Sequence, residues 1–294
     1  MPLVSILIAN LNNGRYIKQT LESAVGQTHR EIELVLADDG STDDSIQVVQ
    51  NFIVTHKEIP ITLHRNDAPA GCGRIKRQLV ELSHGDYFIF LDPEDSLTPE
   101  AVATLLAEHE RGTEYSIVYG THYLCDEHLM PQSISTYPGA IPEGQTHLTS
   151  TGGHISAPAL CRRNCYDRTK GINAKYYVAE DHDLYLKMEE VAPVFFVNHP
   201  LYYYRHHDNN TSWNDGRRAS NIRYRHLAFA AAYHRRKTLA TPNLTRLQYH
   251  TECLNTHLQL YHISLKQKRA MSSIIQLLLA SPYSYTILYN RNSK

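Results

Sequence analysis

Ile32-Glu33-Leu34-Val35-Leu36-Ala37-Asp38-Asp39-Gly40-Ser41-Thr42-Asp43-Asp44-Ser45 is an apolar run that stops at a cluster of carboxylates, a glycine and hydroxyl residues. A short apolar run bounded in this way reads as a buried strand. Ile46, Val49 and Phe52 recur after it at helical spacing, in a helix that Ser41 or Asp43 can cap. Upstream, Val4-Ser5-Ile6-Leu7-Ile8 leads through an Asn-rich loop into a second helical pattern, Tyr16, Ile17, Leu21, Ala24 and Val25. Downstream, Ile61 to His64, Lys76 to Leu82 and Tyr87 to Leu91 repeat the alternation. Strand and helix in turn predict an open, mostly parallel α/β sheet flanked by crossover helices. In such sheets ligands sit beyond the carboxyl ends of the strands, and here those ends carry Asn10, Asp39 and Asp92.

From about Thr113 to Tyr204 the pattern becomes mixed, with strands near Ser116 to Tyr119 and Val194 to Val197 and a helix from Asp181 to Val191. After residue 217 the apolar positions Ile222, Leu227, Ala230, Leu244, Leu247, Leu254, Leu258, Tyr261 and Leu265 read as two or three amphipathic helices. A chain of 294 residues, 42% hydrophobic and 20% charged, accommodates one α/β core with a smaller appendage. The expected division is an α/β domain over 1–213 and a helical extension over 214–294.

The net charge of -1 hides an asymmetry. Residues 216–294 carry 13 Lys and Arg against the single Glu252, whereas the preceding part is strongly acidic. Such a tail attracts any polyanion, whether nucleic acid, anionic lipid or acidic glycan, and charge alone does not choose. The five cysteines are odd in number and irregularly spaced, and the amino terminus begins a strand without a basic leader, so a cytoplasmic, reducing setting is expected. The apolar stretch Ile274 to Ala280 is far short of the ~20 residues that cross a bilayer.

Several residues carry candidate chemistry. A carboxylate of Asp38-Asp39-Gly40 can accept a hydrogen bond from a base or ribose, although the same residues also make a turn and helix cap. Phe88-Ile89-Phe90-Leu91-Asp92-Pro93-Glu94-Asp95 presents three carboxylates in four positions at a strand end. These hard oxygen donors suit Mg²⁺ or Mn²⁺ shared with a diphosphate, and equally an acidic helix start. Glu180-Asp181 opens a helix backed by core-like Leu184, Leu186 and Met188, so both carboxylates are expected at the cleft mouth. Lys76 and Arg77, after the Gly71-Cys72-Gly73 turn, can reach a phosphate. His206-His207 resembles half a metal site, but lone histidines are more often structural. Cys161 and Cys165 lack a second pair and read as ordinary thiols. Neither G-x-G-x-x-G nor G-x-x-x-x-G-K-[ST] occurs, which removes the main support for dinucleotide and P-loop enzymes.

Taken in order, these segments resemble family-2 inverting glycosyltransferases of the GT-A fold from residue 3 to about 213. Val4 to Asn12 resembles the opening nucleotide-binding strand, which implies donor contacts at Ala9, Asn10 and Asn12. Leu36 to Asp43 is similar to the base-binding element, and the uracil-contacting role falls on Asp39. Gly71 to Arg77 and Gly85 to Asp92 look like the glycine turn, basic pair and lead-in to the acidic motif, with Lys76 where the family usually has Arg. Asp92-Pro93-Glu94 corresponds to the D-x-D metal motif, with Glu94 as the second ligand. Ala179 to Leu184 is similar to the element whose Glu-Asp supplies the catalytic base, by position Asp181. Leu201 to His207 with Thr211-Ser212 resembles the late loop that closes on the diphosphate, which implies a donor contact at His207.

The resemblance implies transfer of a sugar from a nucleotide donor, with UDP-sugars as the expected donors, to a hydroxyl of a glycan or lipid-linked acceptor. It implies a divalent metal, Mn²⁺ or Mg²⁺, at Asp92 and Glu94, and no nucleic-acid partner. The basic tail suggests contact with an anionic membrane, and packing on the catalytic domain or in a homo-oligomer explains it equally. Two rivals share these features: nucleotidyl transfer, whose basic phosphate loop is absent, and a non-catalytic glycan-binding protein, which has no chemical need for Asp39, Asp92 and Asp181 together.

Overall fold

A computed structural model describes residues 1–206, 215–267 and 269–292. The chain begins β1 (Val4–Asn10), α1 (Gly14–Val25), β2 (Ile32–Asp38), α2 (Ser45–Thr55), β3 (Ile61–Arg65), α3 (Cys72–Leu82) and β4 (Tyr87–Phe90). This is the alternation expected of the segment. β3, β2, β1 and β4 are neighbours in that order and all pair in parallel. The chain therefore leaves β1 toward β2 on one side and returns to β4 on the other, which opens a crevice at the carboxyl ends of β1 and β4.

Beyond β4 come β5 (Ser96–Leu97), α4 (Ala101–His109), β6 (Ile117–Cys125), β7 (Pro131–Ile134), β8 (Ala159–Arg162), α5 (Arg163–Asp167), α6 (Glu180–Glu189) and β9 (Val194–Arg205). β8 runs antiparallel between β4 and β6, β6 is parallel to β9, and β5 and β7 pair antiparallel with β9 and β6. The sheet as a whole is mixed: its first four strands are all parallel, and beyond them β6 and β9 are the parallel pair among antiparallel neighbours. A parallel neighbour needs a crossover, usually helical, and the described segment between β6 and β8 contains no helix, so it returns antiparallel.

The alternation of side chains along the strands builds two cores. Val4, Ile6 and Ile8 of β1 pack with Ile17 and Leu21 of α1, Val49 and Phe52 of α2 and Leu105 of α4. Leu7 faces the other way, among Ile75 and Leu79 of α3 and Leu184, Tyr185 and Met188 of α6. α6 is itself covered on its far side, where Leu186 meets Ala228 and Ala232 of α7 (Asp215–Arg235).

A 3₁₀ turn at Arg236–Thr238 leads to α8 (Arg246–Lys266), which opens with a Thr245/Gln248 capping box, and then to α9 (Ala270–Asn292). Ion pairs fasten the basic tail to the acidic body. The fully buried Arg236 guanidinium binds Glu189 at 2.7 Å and Glu190 at 3.2 Å, and also reaches Thr146 and the Leu186 carbonyl. Arg235 grips Glu190 through two nitrogens at 2.8 and 2.9 Å.

Glu33 of β2 ties the amino ends of three strands together. Its Oε1 accepts the Ser5 hydroxyl at 2.6 Å and the N–H of Gly85 at 3.1 Å, and the His84 N–H also donates to it. Burial alone would raise its pKa, but the hydrogen bonds from Ser5 and His84 hold it below the ordinary carboxylate value. A depressed folded pKa contributes stability above the unfolded value, and that stability is lost as pH falls through the folded one. Glu33→Gln should therefore cost about 1–3 kcal/mol at neutral pH. In urea titrations its deficit should shrink between roughly pH 5 and pH 3; a pH-independent deficit would contradict this account.

Candidate active site

The crevice is framed on one side by the loops after β1 and β2. Asp38 accepts Asn10 Nδ2 at 2.8 Å and both the N–H and hydroxyl of Ser41. Asn12, in the left-handed region with φ 56°, accepts the Thr42 N–H at 2.8 Å. The Asn10 and Asn12 amides thus stitch these two loops to each other. Asn10 Oδ1 is buried and has no hydrogen-bond partner among the described residues, while Ala9 is half-buried beside it. Of the two capping candidates, Asp43 accepts the Ser45 N–H at the start of α2, and Ser41 turns to Asp38 instead.

Asp39 is buried and organises the loop that leads to α3. Its Oδ1 accepts Asn66 Nδ2 at 2.9 Å and the Ala70 N–H at 2.8 Å, and its Oδ2 accepts the Gly71 N–H at 3.0 Å. A carboxylate offers about four lone-pair positions, so one acceptor position remains on Oδ2. Gly40, at φ 83°, is needed here because a Cβ would lie 3.1 Å from the Ala68 backbone.

The other side is the Asp92-Pro93-Glu94-Asp95 turn after β4. The expected set of three clustered carboxylates is divided. Asp95 points inward, fully buried, and accepts the Tyr202 hydroxyl at 2.8 Å and the Arg205 N–H at 2.7 Å. Burial and the neighbouring Asp92 push its carboxyl well above the ordinary range. Arg205 braces the turn from β9, donating to the Glu94 carbonyl at 2.6 Å and to Gln19 at 2.8 Å. Asp92 and Glu94 are left as half-buried hard oxygen donors at the crevice. No group of three His, Cys, Asp or Glu is arranged for a metal among the described residues. A cation there would take two protein carboxylates and complete its shell with water or phosphate oxygens, the usual habit of Mg²⁺.

α6 supplies the third wall, and it separates the two carboxylates expected at the cleft mouth. Glu180 is buried and meets Lys76 Nζ at 2.8 Å; the same ammonium lies 3.9 Å from Asp92. Burial works against both charges of the Lys76–Glu180 pair, but mutual attraction prevails, raising the Lys76 pKa and lowering that of Glu180. Lys76 thus joins α3, α6 and the β4 turn, while Arg77 points away to Glu81 and the Ile172 carbonyl. Asp181 is exposed. Surrounding protein reduces its hydration, and Glu180 lies beside it; both raise its pKa above the ordinary aspartate value. An exposed carboxylate walled in by protein is what a cleft produces.

Cys161 and Cys165 are buried in the sheet-side core. His207, Thr211 and Ser212 lie outside the described residues. The Asp95–Tyr202–Arg205 brace was not foreseen. The apolar and aromatic run Leu201-Tyr202-Tyr203-Tyr204 ahead of Arg205 is the sequence signal that marks it.

A family model described as glycosyl transferase family 2 matches residues 5–168. Chondroitin synthase of Escherichia coli is 30% identical over 218 residues, covering 72% of this chain and 30% of the relative, so the chain spans less than a third of that protein. S. aureus TarS 1–349, solved in complex with UDP, superposes with a TM-score of 0.60 at 17% identity, covering 100% of this chain and 92% of that one. The mannosyltransferase PcManGT from Pyrobaculum calidifontis, solved with GDP-Man and Mn²⁺, gives 0.58 at 13% identity, covering 98% and 88%. These structures share the GT-A fold with this chain.

Removing either partner of the Lys76–Glu180 pair strands a buried charge. Lys76→Met and Glu180→Gln should each cost about 3–5 kcal/mol in chemical denaturation. The double variant should recover a large part of the sum; simple additivity would rule out the pairing.

Proposed function

The chain belongs to glycosyl transferase family 2 and is a glycosyltransferase; from that premise we propose that it inverts the anomeric centre of a nucleotide-sugar with Asp181 as general base. The observation that carries this is the contrast between Glu180, buried and neutralised by Lys76, and Asp181, open at the crevice with a raised pKa. A base that acts near neutrality benefits from such a shift. The acceptor hydroxyl oxygen forms a bond to the sugar carbon as its proton passes to Asp181. The bond from that carbon to the diphosphate breaks, and its electron pair stays on the leaving phosphate. Attack from the face opposite the leaving group inverts configuration.

Residues 1–213 form the catalytic unit in this proposal, and 214–294 its helical extension. The open acceptor position on Asp39 suits a base N–H, with Ala9, Asn10 and Asn12 shaping that end of the pocket and His207 closing it. UDP is the nucleotide favoured, supported by the UDP complex of the TarS fold relative, although the GDP-Man complex of PcManGT widens the choice. Asp92 and Glu94 would hold Mn²⁺ or Mg²⁺, which supplies positive charge where the diphosphate departs. Lys76 maintains the orientation of Asp92. The acceptor is a hydroxyl of a glycan or lipid-linked glycan, a class consistent with the chondroitin synthase likeness.

Asp181→Asn should lower transfer by roughly 10²–10⁴-fold with donor affinity nearly unchanged. In the parent enzyme kcat/KM should fall as pH drops through the raised Asp181 pKa, because protonation removes the base. That acid limb should be absent from the residual activity of the variant; a variant keeping most of its turnover would sink the assignment.

The extension also carries a membrane proposal. α9 turns Ser273, Gln276 and Ala280 inward and leaves Met271, Ile274, Ile275, Leu277, Leu278 and Leu279 exposed. Exposed Lys266 and Arg269 stand beside its start, and no described helix is long and apolar enough to cross a membrane. An apolar face next to cations fits an anionic lipid surface, at which the helix lies in plane. A cytoplasmic location at the inner face of the membrane belongs to the same proposal and is supported by five free thiols. The chain should sediment with phosphatidylglycerol vesicles, less so at high salt, and Leu278→Asp should release it; equal sedimentation with and without vesicles would eliminate the contact.

A further inference from the structure

A chain of polar rings without a part in the transfer chemistry starts at His182, the neighbour of Asp181 in α6. His147 is buried, and its Nε2 lies 3.1 Å from His182 Nδ1. The Ile155 N–H donates to His147 Nδ1 at 3.3 Å, so that nitrogen carries no proton in the neutral ring. His147 then donates through Nε2–H to His182 Nδ1. This leaves the single ring proton of His182 on Nε2. Both rings are neutral at pH 7, because burial pushes His147 down to about 3 and holds His182 well below its ordinary value.

The contacts continue outward from this pair. His147 meets His154 edge-on at 5.9 Å, and His154 stacks on Tyr137 at 4.8 Å. The Tyr137 hydroxyl accepts a hydrogen bond from Arg225 of α7 at 3.3 Å. Its oxygen being an acceptor toward Arg225, the Tyr137 proton is directed elsewhere. Tyr137 and Arg225 are exposed, and His182 is half-buried. Arg225 has no ion pair to a carboxylate among the described residues.

This chain of contacts therefore offers donors: His182 Nε2–H, the Tyr137 hydroxyl and the Arg225 guanidinium. Their natural complement is an anion that only accepts. We infer that His182, Tyr137 and Arg225 form an acceptor-side subsite for an anionic group, a sugar carboxylate or a phosphate, on the molecule whose hydroxyl is glycosylated. This rests on the reading of Asp181 as base. Asp181 would otherwise repel such a molecule, and Arg225 offsets that repulsion while anchoring the acceptor within reach of Asp181.

Histidine side-chain NMR of the full chain tests the subsite without knowledge of the true acceptor, with His182→Gln identifying the His182 signal. The probes are methyl glucuronide, inorganic phosphate and neutral methyl glucoside. A saturable shift of the His182 signal is expected with one anion and not with the glucoside; which anion acts separates carboxylate from phosphate recognition. Arg225→Gln should weaken that binding roughly tenfold or more. Arg225 is exposed, so its replacement leaves the core intact, and Arg225→Lys should restore part of the affinity. No shift from either anion up to concentrations of the order of 100 mM, an equal shift from the glucoside, or indifference to Arg225→Gln would each overturn the subsite. Nucleotide release by the parent enzyme without acceptor reports separately on the glycosyltransferase reading, so the two can fail independently.

Discussion

A buried ammonium ion holds the crevice together. Lys76 contributes from α3, Glu180 from the first turn of α6 and Asp92 from the end of β4, three segments distant in sequence that meet at one charge. Desolvating an isolated ammonium or carboxylate costs several kcal/mol, so each partner depends on the other remaining in place. The consequence is positional. With Glu180 fixed inward, the next residue of α6 must emerge on a different face, and Asp92 is held at the mouth of the crevice. The Asp95–Arg205 contacts act similarly on the opposite flank, anchoring the β4 turn to β9.

The N-terminal half of the fold was readable because its apolar strands alternate with helices of regular spacing. Ile32 to Asp38 is buried at every position, as a strand covered on both faces requires. Legibility fails where short strands lack a helix between them to mark the alternation. β5 has two residues and β7 and β8 four each, too few to express a period. The mixed character of the sheet arises from these pieces: the expected parallel pairing is continuous through β4 and returns in β6 and β9, with the short strands antiparallel between and beside them.

At the site, sequence order identified which residues gather but not which way they face. Asp92, Asp95, Glu180 and Asp181 all lie at the predicted strand or helix ends, yet two of the four are buried. Nothing local separates Asp95 from Asp92; the distinction comes from Tyr202 and the Arg205 N–H, more than a hundred residues away. Lys76 was read as a cation able to reach phosphate, and its long-range partner Glu180 was equally invisible. The charge asymmetry was plain in the sequence, but its partial resolution required the pairing of Arg235 and Arg236 with Glu189 and Glu190.

α6 concentrates these effects because it is covered by the sheet on one side and by α7 on the other. A helix turns about 100° per residue, so three consecutive residues at its start face three environments. Glu180 meets Lys76 in the interior, Asp181 opens to the crevice, and His182 meets His147. Each neighbour changes what its side chain can do: an ionised structural carboxylate, a carboxylate with raised pKa, and a neutral ring of fixed tautomer. The last turn carries Glu189 to Arg236, so the helix that presents the candidate base also anchors the tail. The C-terminal helices and Asp181 are thus joined through one element ten residues long, held at its last turn by Arg236 and at its first by Lys76.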